Sequence, residues 1–415
     1  MRLHEDAPLG ERIAYFRRRR GYSQVVLAGL VGKSDEWLSQ IERGSRDVDR
    51  LSVIVALAGV LRVEPARLLG RPFFSVPPSE TRDGQPLGVA QEWVPEIGAA
   101  MHRFNGIGRL TYAPPAVAPD LDALARRVSR AFHCSQTERW SELGPLLPDM
   151  IADAYHAVHL LTGGERRQAL RLQALAYRVA SGMLDRIGED HLPWIAAERS
   201  MVAAEETEDP ALIAGGAWRL AVVLRHSGML QESYDVPVAA ATALGHGADA
   251  SPEQLSVFGA LQLKGAVAAA SLGDGAAMRE HLDAAERAAS RTGERNDYWF
   301  AFGPTNVQIH RVWLALETGD PLDALNKAGS IQVDDLPPAL AERQASHLIT
   351  VAWAYYLRRR DREALDALRH ARRVAPEQVL FTRRVYSMVR GMLKRERATV
   401  KRDLREMAEF IRLAE

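Results

Sequence analysis

The chain has 415 residues, more than one domain usually holds, and 47% hydrophobic with 26% charged residues describes an ordinary globular protein. A single cysteine, Cys134, excludes a disulfide framework and a thiolate zinc site and fits a reducing cytoplasm. Basic and acidic residues balance at 53 each, but unevenly: residues 1–70 hold 12 Lys/Arg against 9 Asp/Glu, and residues 358–406 hold 16 against 7, which leaves an acidic middle.

The first residues, "MRLHEDAPLGERIAYF", carry no apolar stretch and no small-residue cleavage site. No run approaches the ~18 apolar residues of a membrane span, so no membrane partner is expected. Residues 9–70 carry short, closely spaced helical patterns. A first helix is predicted over Gly10–Arg20. A second opens at Gln24 behind the capping residue Ser23, and a third opens behind Ser34. Ala28 sits where a larger side chain would meet a crossing helix, and Gly32 where a tight turn favours left-handed backbone. Leu27, Val31, Leu38 and Ile41 fall on the inward face. Further helices are predicted at Leu51–Leu61 and Pro65–Leu69, the last opening on a favoured N1 proline.

Residues 71–119 hold 8 of the 21 prolines and read as a linker with one short helix near Val94–Phe104. From Asp120 the chain is helix after helix, without period-2 strands, so the fold class is all-α. Turn signals at Gly188-Glu189, Gly228, Gly273-Asp274, Gly319-Asp320 and Asp361 recur every 40–46 residues. Small residues recur where helices approach, at Ala284, Ala288, Ala324, Ala328, Ala367 and Ala371. This is the pattern of a tetratricopeptide-like α-solenoid with long helices. First helices of successive pairs are expected at about 190–206, 210–227, 252–272, 296–318 and 338–358. The domains are accordingly 1–70, a linker over 71–119, and a repeat domain over 120–415.

No phosphate loop, HExxH or GxSxG is present. "GIGRL" at Gly106–Leu110 lacks the third glycine of a dinucleotide fingerprint, and the histidines show no metal spacing. No enzyme, cofactor or metal is expected.

"YSQVVLAGLVG", "WLSQIERGSR" and "LSVIVALAGVLRVEPARLLG" together strongly resemble the Cro/repressor-like (XRE-type) helix-turn-helix family. Lys33 departs from the pattern, which usually has an apolar residue there. The resemblance implies a five-helix DNA-binding head whose third helix enters the major groove. Lys33, Ser34, Asp35, Glu36, Trp37 and Gln40 would then face the bases. Gln24 would touch a phosphate or brace the reading residues, and Arg43 and Arg46 would meet backbone, as would Arg20 at the end of "RRRR". A small positive charge on one head suggests a homodimer on a two-fold-related double-stranded DNA site.

"WSELGPLLPDMIADA", "DHLPWIAAERSMVAAEETEDP" and "FGPTNVQIHRVWLALETGDP" resemble the tetratricopeptide-like regions joined to XRE-type heads in actinobacterial regulators. That resemblance implies a cytoplasmic transcription regulator, on the nucleoid when bound, whose body dimerises and senses a small ligand or signalling peptide. The alternative is an adaptor whose solenoid binds a partner protein while the head only localises it. For a ligand, Asn306 and His310 share one helix face with Phe302, and Arg343 and His347 repeat that spacing on the next first helix. Framed by Phe302, Trp299 and Trp353, these polar groups would form an apolar-walled pocket. The basic C-terminal end reads as a capping helix pair.

Overall fold

The computed structural model describes residues 8–31, 33–44, 57–58, 60–61, 63, 92–103, 117–189, 191–247, 249–333, 336–395 and 400–412. Among the described residues nearly everything regular is helix, and the one strand-like pairing is a bridge between Arg295 and Phe302.

The head begins with α1 (Leu9–Arg19), α2 (Gln24–Leu30) and α3 (Asp35–Glu42). Both serines cap as their position requires: Ser23 accepts from the Val26 amide and Ser34 from the Trp37 amide, each at 3.2 Å. Ile13, Phe16, Leu27, Ala28, Leu38 and Ile41 close into one core with Leu57, Ala58 and Leu61. Gly10 lets α1 cross α3 at backbone distance, because a Cβ there would lie 2.0 Å from the Ile41 carbonyl oxygen. The expected helix at Leu51–Leu61 is described only near its end. Gly32, Arg46 and the expected helix at Pro65–Leu69 lie outside the described residues.

The segment read as a linker contains α4 (Val94–Arg103), which sends Ile97, Ala100 and Met101 into the first core of the body. That core also takes α5 (Leu121–Gln136), α6 (Trp140–Leu143) and α7 (Leu147–Leu160). Antiparallel pairs follow: α8 (Gly163–Arg186) with α9 (Leu192–Glu205), α10 (Pro210–His226) with α11 (Leu230–Leu244), and α12 (Pro252–Leu272) with α13 (Gly275–Thr292). Next come α14 (Pro304–Glu317) with α15 (Pro321–Ala328) and α16 (Ala341–Leu357) with α17 (Asp361–Val374). A short α18 (Pro376–Phe381) leads to the last pair, α19 (Arg383–Leu393) and α20 (Lys401–Phe410). First helices also pack on one another, α8 on α10, α10 on α12, α12 on α14, α14 on α16 and α16 on α19. They line the inner face of the solenoid. The first helix expected at about 190–206 is instead α9 (Leu192–Glu205), the second helix of its pair, because Gly188-Glu189 is the turn inside a pair and not between pairs.

One turn geometry builds the repeat. Gly188, Gly228, Gly273 and Gly319 have φ between 79° and 88°. After each, the next amide reaches back to close the helix end: Glu189 to Leu184, Met229 to Leu224, Asp274 to Ala269 and Asp320 to Ala315, each at 2.9 Å. Arg359 (φ 59°) makes the same turn without glycine, with the Arg360 amide donating to the Tyr355 carbonyl at 3.0 Å. Among the described residues one helix, α12, is long and apolar enough to cross a membrane, but 89% of its apolar window is buried inside the body.

The body curves back on itself. Between α13 and α14 the chain crosses to α5: Trp299 stacks on Phe132 with ring centroids 4.2 Å apart, and the Gln136 amide donates to the Asn296 side-chain oxygen at 2.9 Å. Tyr298, Trp299 and Ala301 hold φ of 49°, 59° and 49° there, a strained run for residues with a Cβ. Ser141 donates to Glu377 at 2.6 Å, and Arg186 to Glu342 at 3.1 Å.

Candidate functional site

Two surfaces carry the sequence-derived candidates. On the head, the N-terminal turn of α3 projects outward. Lys33, Ser34, Asp35 and Glu36 are exposed, Trp37 and Gln40 are half-buried, and the Lys33 ammonium lies 5.9 Å from the Trp37 ring centroid. Asp35 and Glu36 occupy the turn where the helix dipole favours negative charge. Arg43 is exposed and donates to the Ser39 carbonyl at 3.2 Å.

Behind this face a buried ion pair fixes α3. Arg17 donates through Nε (2.6 Å) and an Nη (2.7 Å) to the two oxygens of Glu42, and its remaining Nη reaches the Tyr22 carbonyl at 2.9 Å. Gln24 donates to the same carboxylate at 2.8 Å, so it braces the frame in this structure. Arg20 donates to the Leu61 carbonyl at 2.7 Å and ties the end of α1 to the fourth helical segment. Of the arginine run, Arg18 and Arg19 point outward as exposed residues.

The second surface is the inner face of the body. Asn306, 5% exposed, has a side-chain oxygen with no protein donor, and its main-chain oxygen meets His310 Nδ1 at 2.9 Å. Burial, Lys264 and Arg343 press the His310 imidazole down to about 3, so it is neutral. Arg343 donates to Glu342 (2.7 Å) and to the Phe300 carbonyl (3.4 Å), leaving its Nε unpartnered.

The other candidates do not join them. Phe302 is fully buried in the core, its ring filling the space over Gly259, where a Cβ would be 1.9 Å away. Trp299 is taken up by Phe132. His347 is buried, its Nδ1 unpartnered, and burial alone holds it down to about 4.

The structure adds residues that periodicity did not single out. Lys264 stands 4.4 Å over the Trp218 ring. Arg219 pairs with Asp185 at 2.6 Å, and Asp185 also meets His226 at 2.6 Å. Burial works against the Asp185 charge, but Arg219 and His226 outweigh it and hold the carboxyl far below its usual range. Arg225 reaches the other nitrogen of His226 at 2.7 Å. In sequence the only cue was a lysine inside the apolar run "LQLKGAVAAA".

At one end of this network Glu138 is sealed from solvent, accepting from Trp140 Nε1 at 2.7 Å and lying 3.3 Å from Arg186. Burial pushes its carboxyl up to about 7, against the pull of Arg186 and with the push of Glu342. The folded chain therefore holds this proton more tightly than the unfolded chain. Stability falls as pH rises from the ordinary carboxylate range to about 7 and is flat above it. Glu138→Gln removes that loss: relative to the parent it is expected to gain on the order of 2 kcal/mol between about pH 5 and about pH 8, read from denaturant melts at both. Equal gains at the two pH values would assign the proton elsewhere.

Together these features define a helix-turn-helix head joined to a helical-repeat body. Residues 8–69 match the family model described as a helix-turn-helix domain. Among solved structures the chain is similar to the crystal structure of Bacillus thuringiensis PlcR in complex with the peptide PapR7 and DNA. That similarity has 10% identity and a TM-score of 0.34, and covers 88% of this chain and 98% of that one. No curated protein matches the chain.

Proposed function

We propose that the chain is a sequence-specific DNA-binding transcription regulator, acting as a cytoplasmic homodimer, whose helical body senses a small ligand or signalling peptide. The observation that carries the reading is the helix-turn-helix domain over residues 8–69 with the first turn of α3 turned outward. In this reading Lys33, Ser34, Asp35, Glu36, Trp37 and Gln40 face the major groove, and Arg43 and Arg46 meet phosphate. Two heads compensate for the small charge of each. The ligand acts by binding two arrangements of the dimer with different affinity. Genome-wide mapping of bound sites is the test, and an absence of enriched sites rejects the reading.

The acids of α3 serve selectivity in this proposal. They repel generic phosphate, while a carboxylate accepts from a cytosine amino group. Glu36→Ala is expected to lose about 1–3 kcal/mol of discrimination at one base pair while nonspecific binding stays constant or rises, measured by competition against a randomised site library. An unchanged preferred site would leave Glu36 a helix-terminus role only.

A further inference from the structure

We propose that the inner face of the helical body binds its ligand through a compact anionic group, a carboxylate or a phosphate, held by Lys264 together with Arg343. This deepens the ligand-sensing reading and rests on it.

Lys264 is the one charged residue between Gln254 and Leu272, in a chain that has five lysines among its 53 basic residues. It projects from the middle of α12, whose flanking first helices α10 and α14 share the inner face. Its ammonium has an aromatic face beneath it, Trp218, but no carboxylate pairs with it among the described residues. The charges that act on it most strongly are those of Arg343, Arg225 and Arg219, opposed by Glu342. The carboxylates nearby are already committed: Asp185 to Arg219 and His226, Glu342 to Arg186 and Arg343, Glu138 to Arg186, and Glu317, which also acts on Arg225, to Arg384. Six cations, Lys264, Arg186, Arg219, Arg225, Arg343 and Arg384, thus face four carboxylates, Glu138, Asp185, Glu317 and Glu342.

Such an excess of like charge held among packed helices is costly unless an anion completes it. The protein meets that cost at its most adaptable member: burial and the three arginines push Lys264 down to about 7. An anion would restore the proton. Arg343 keeps an unpartnered Nε beside this point, and the orphaned Asn306 oxygen lies one turn from His310.

The full chain is reductively methylated with carbon-13 formaldehyde, which gives one dimethylamine signal for each of its five lysines and one for the N-terminal amine. Lys264→Arg assigns the signal. Each signal is titrated with pH, with and without pyrophosphate or glutarate at constant ionic strength and without DNA, so a failure of DNA recognition leaves the result intact. The expected result is a Lys264 midpoint near neutrality that either probe raises by about one unit, while the other four lysines stay put. A response to pyrophosphate alone assigns a phosphate ligand, and a response to glutarate alone a carboxylate. Lys264→Met should weaken the same probe about tenfold, followed by isothermal titration calorimetry, in a chain that still melts cooperatively. A Lys264 midpoint that neither probe moves overturns the proposal, as does probe affinity unchanged in Lys264→Met.

Discussion

Glu42→Ala is expected to unfold the head while leaving the body folded. Glu42 and Arg17 are 5% and 10% exposed, and the carboxylate receives both prongs of the guanidinium as well as the Gln24 amide. Deleting one partner of such a pair leaves a buried charge without compensation and costs about 3–5 kcal/mol. A domain of about sixty residues buries proportionally little surface, so that loss consumes most of its stability. Thermal melts of the full chain should lose their head transition, and DNA binding should vanish at all sequences alike. The double variant Arg17→Met with Glu42→Ala should recover part of the loss, since it removes the orphaned charge as well. Retained DNA affinity in the single variant would show that the pair is dispensable.

Phe302→Ala should be the most damaging single change in the body, at about 3–5 kcal/mol, because it empties a fully enclosed site. The space over Gly259 exists for this ring, so the cavity has nothing ready to refill it. Denaturant melts of the full chain would show the shift. The same experiment separates two roles for this residue. A core residue lowers stability whether or not ligand is present. A ligand-facing residue would alter only the ligand response, and that outcome would return Phe302 to the pocket wall.

Some of this architecture can be read directly from the chain. The turns inside the pairs are legible because a left-handed helix end favours glycine, and Gly188, Gly228, Gly273 and Gly319 announce it. Which helix of each pair faces inward is legible only once the first turn is placed, and a slip of one helix in phase moves α9 to the wrong side. The crossing segment was hidden for a different reason. Tyr298, Trp299 and Ala301 adopt positive φ with no glycine or asparagine to signal it, because tertiary contacts to Phe132 and Gln136 impose it. In the head, capping serines and core spacing were local and readable. The partnership of Arg17 with Glu42, 25 residues apart, was not. Asn306, His310 and Arg343 were found from spacing along single helices. Lys264 escaped because its significance lies in neighbours contributed by α10 and α16, which no single-helix periodicity relates.

The contacts that bring Asn296 to Gln136, Glu377 to Ser141 and Glu342 to Arg186 span 160, 236 and 156 residues of chain. An open solenoid behaves as a row of neighbours: each unit feels only the next, and the row frays from its tips. Here α6 near one end is tied to α18 near the other, and α8 to α16, so the row bends toward a hoop. A hoop cannot stretch at one end without changing its radius everywhere. Displacement at any point on its inner rim is shared around the whole circumference. That gives a small event inside the body mechanical reach to both of its termini.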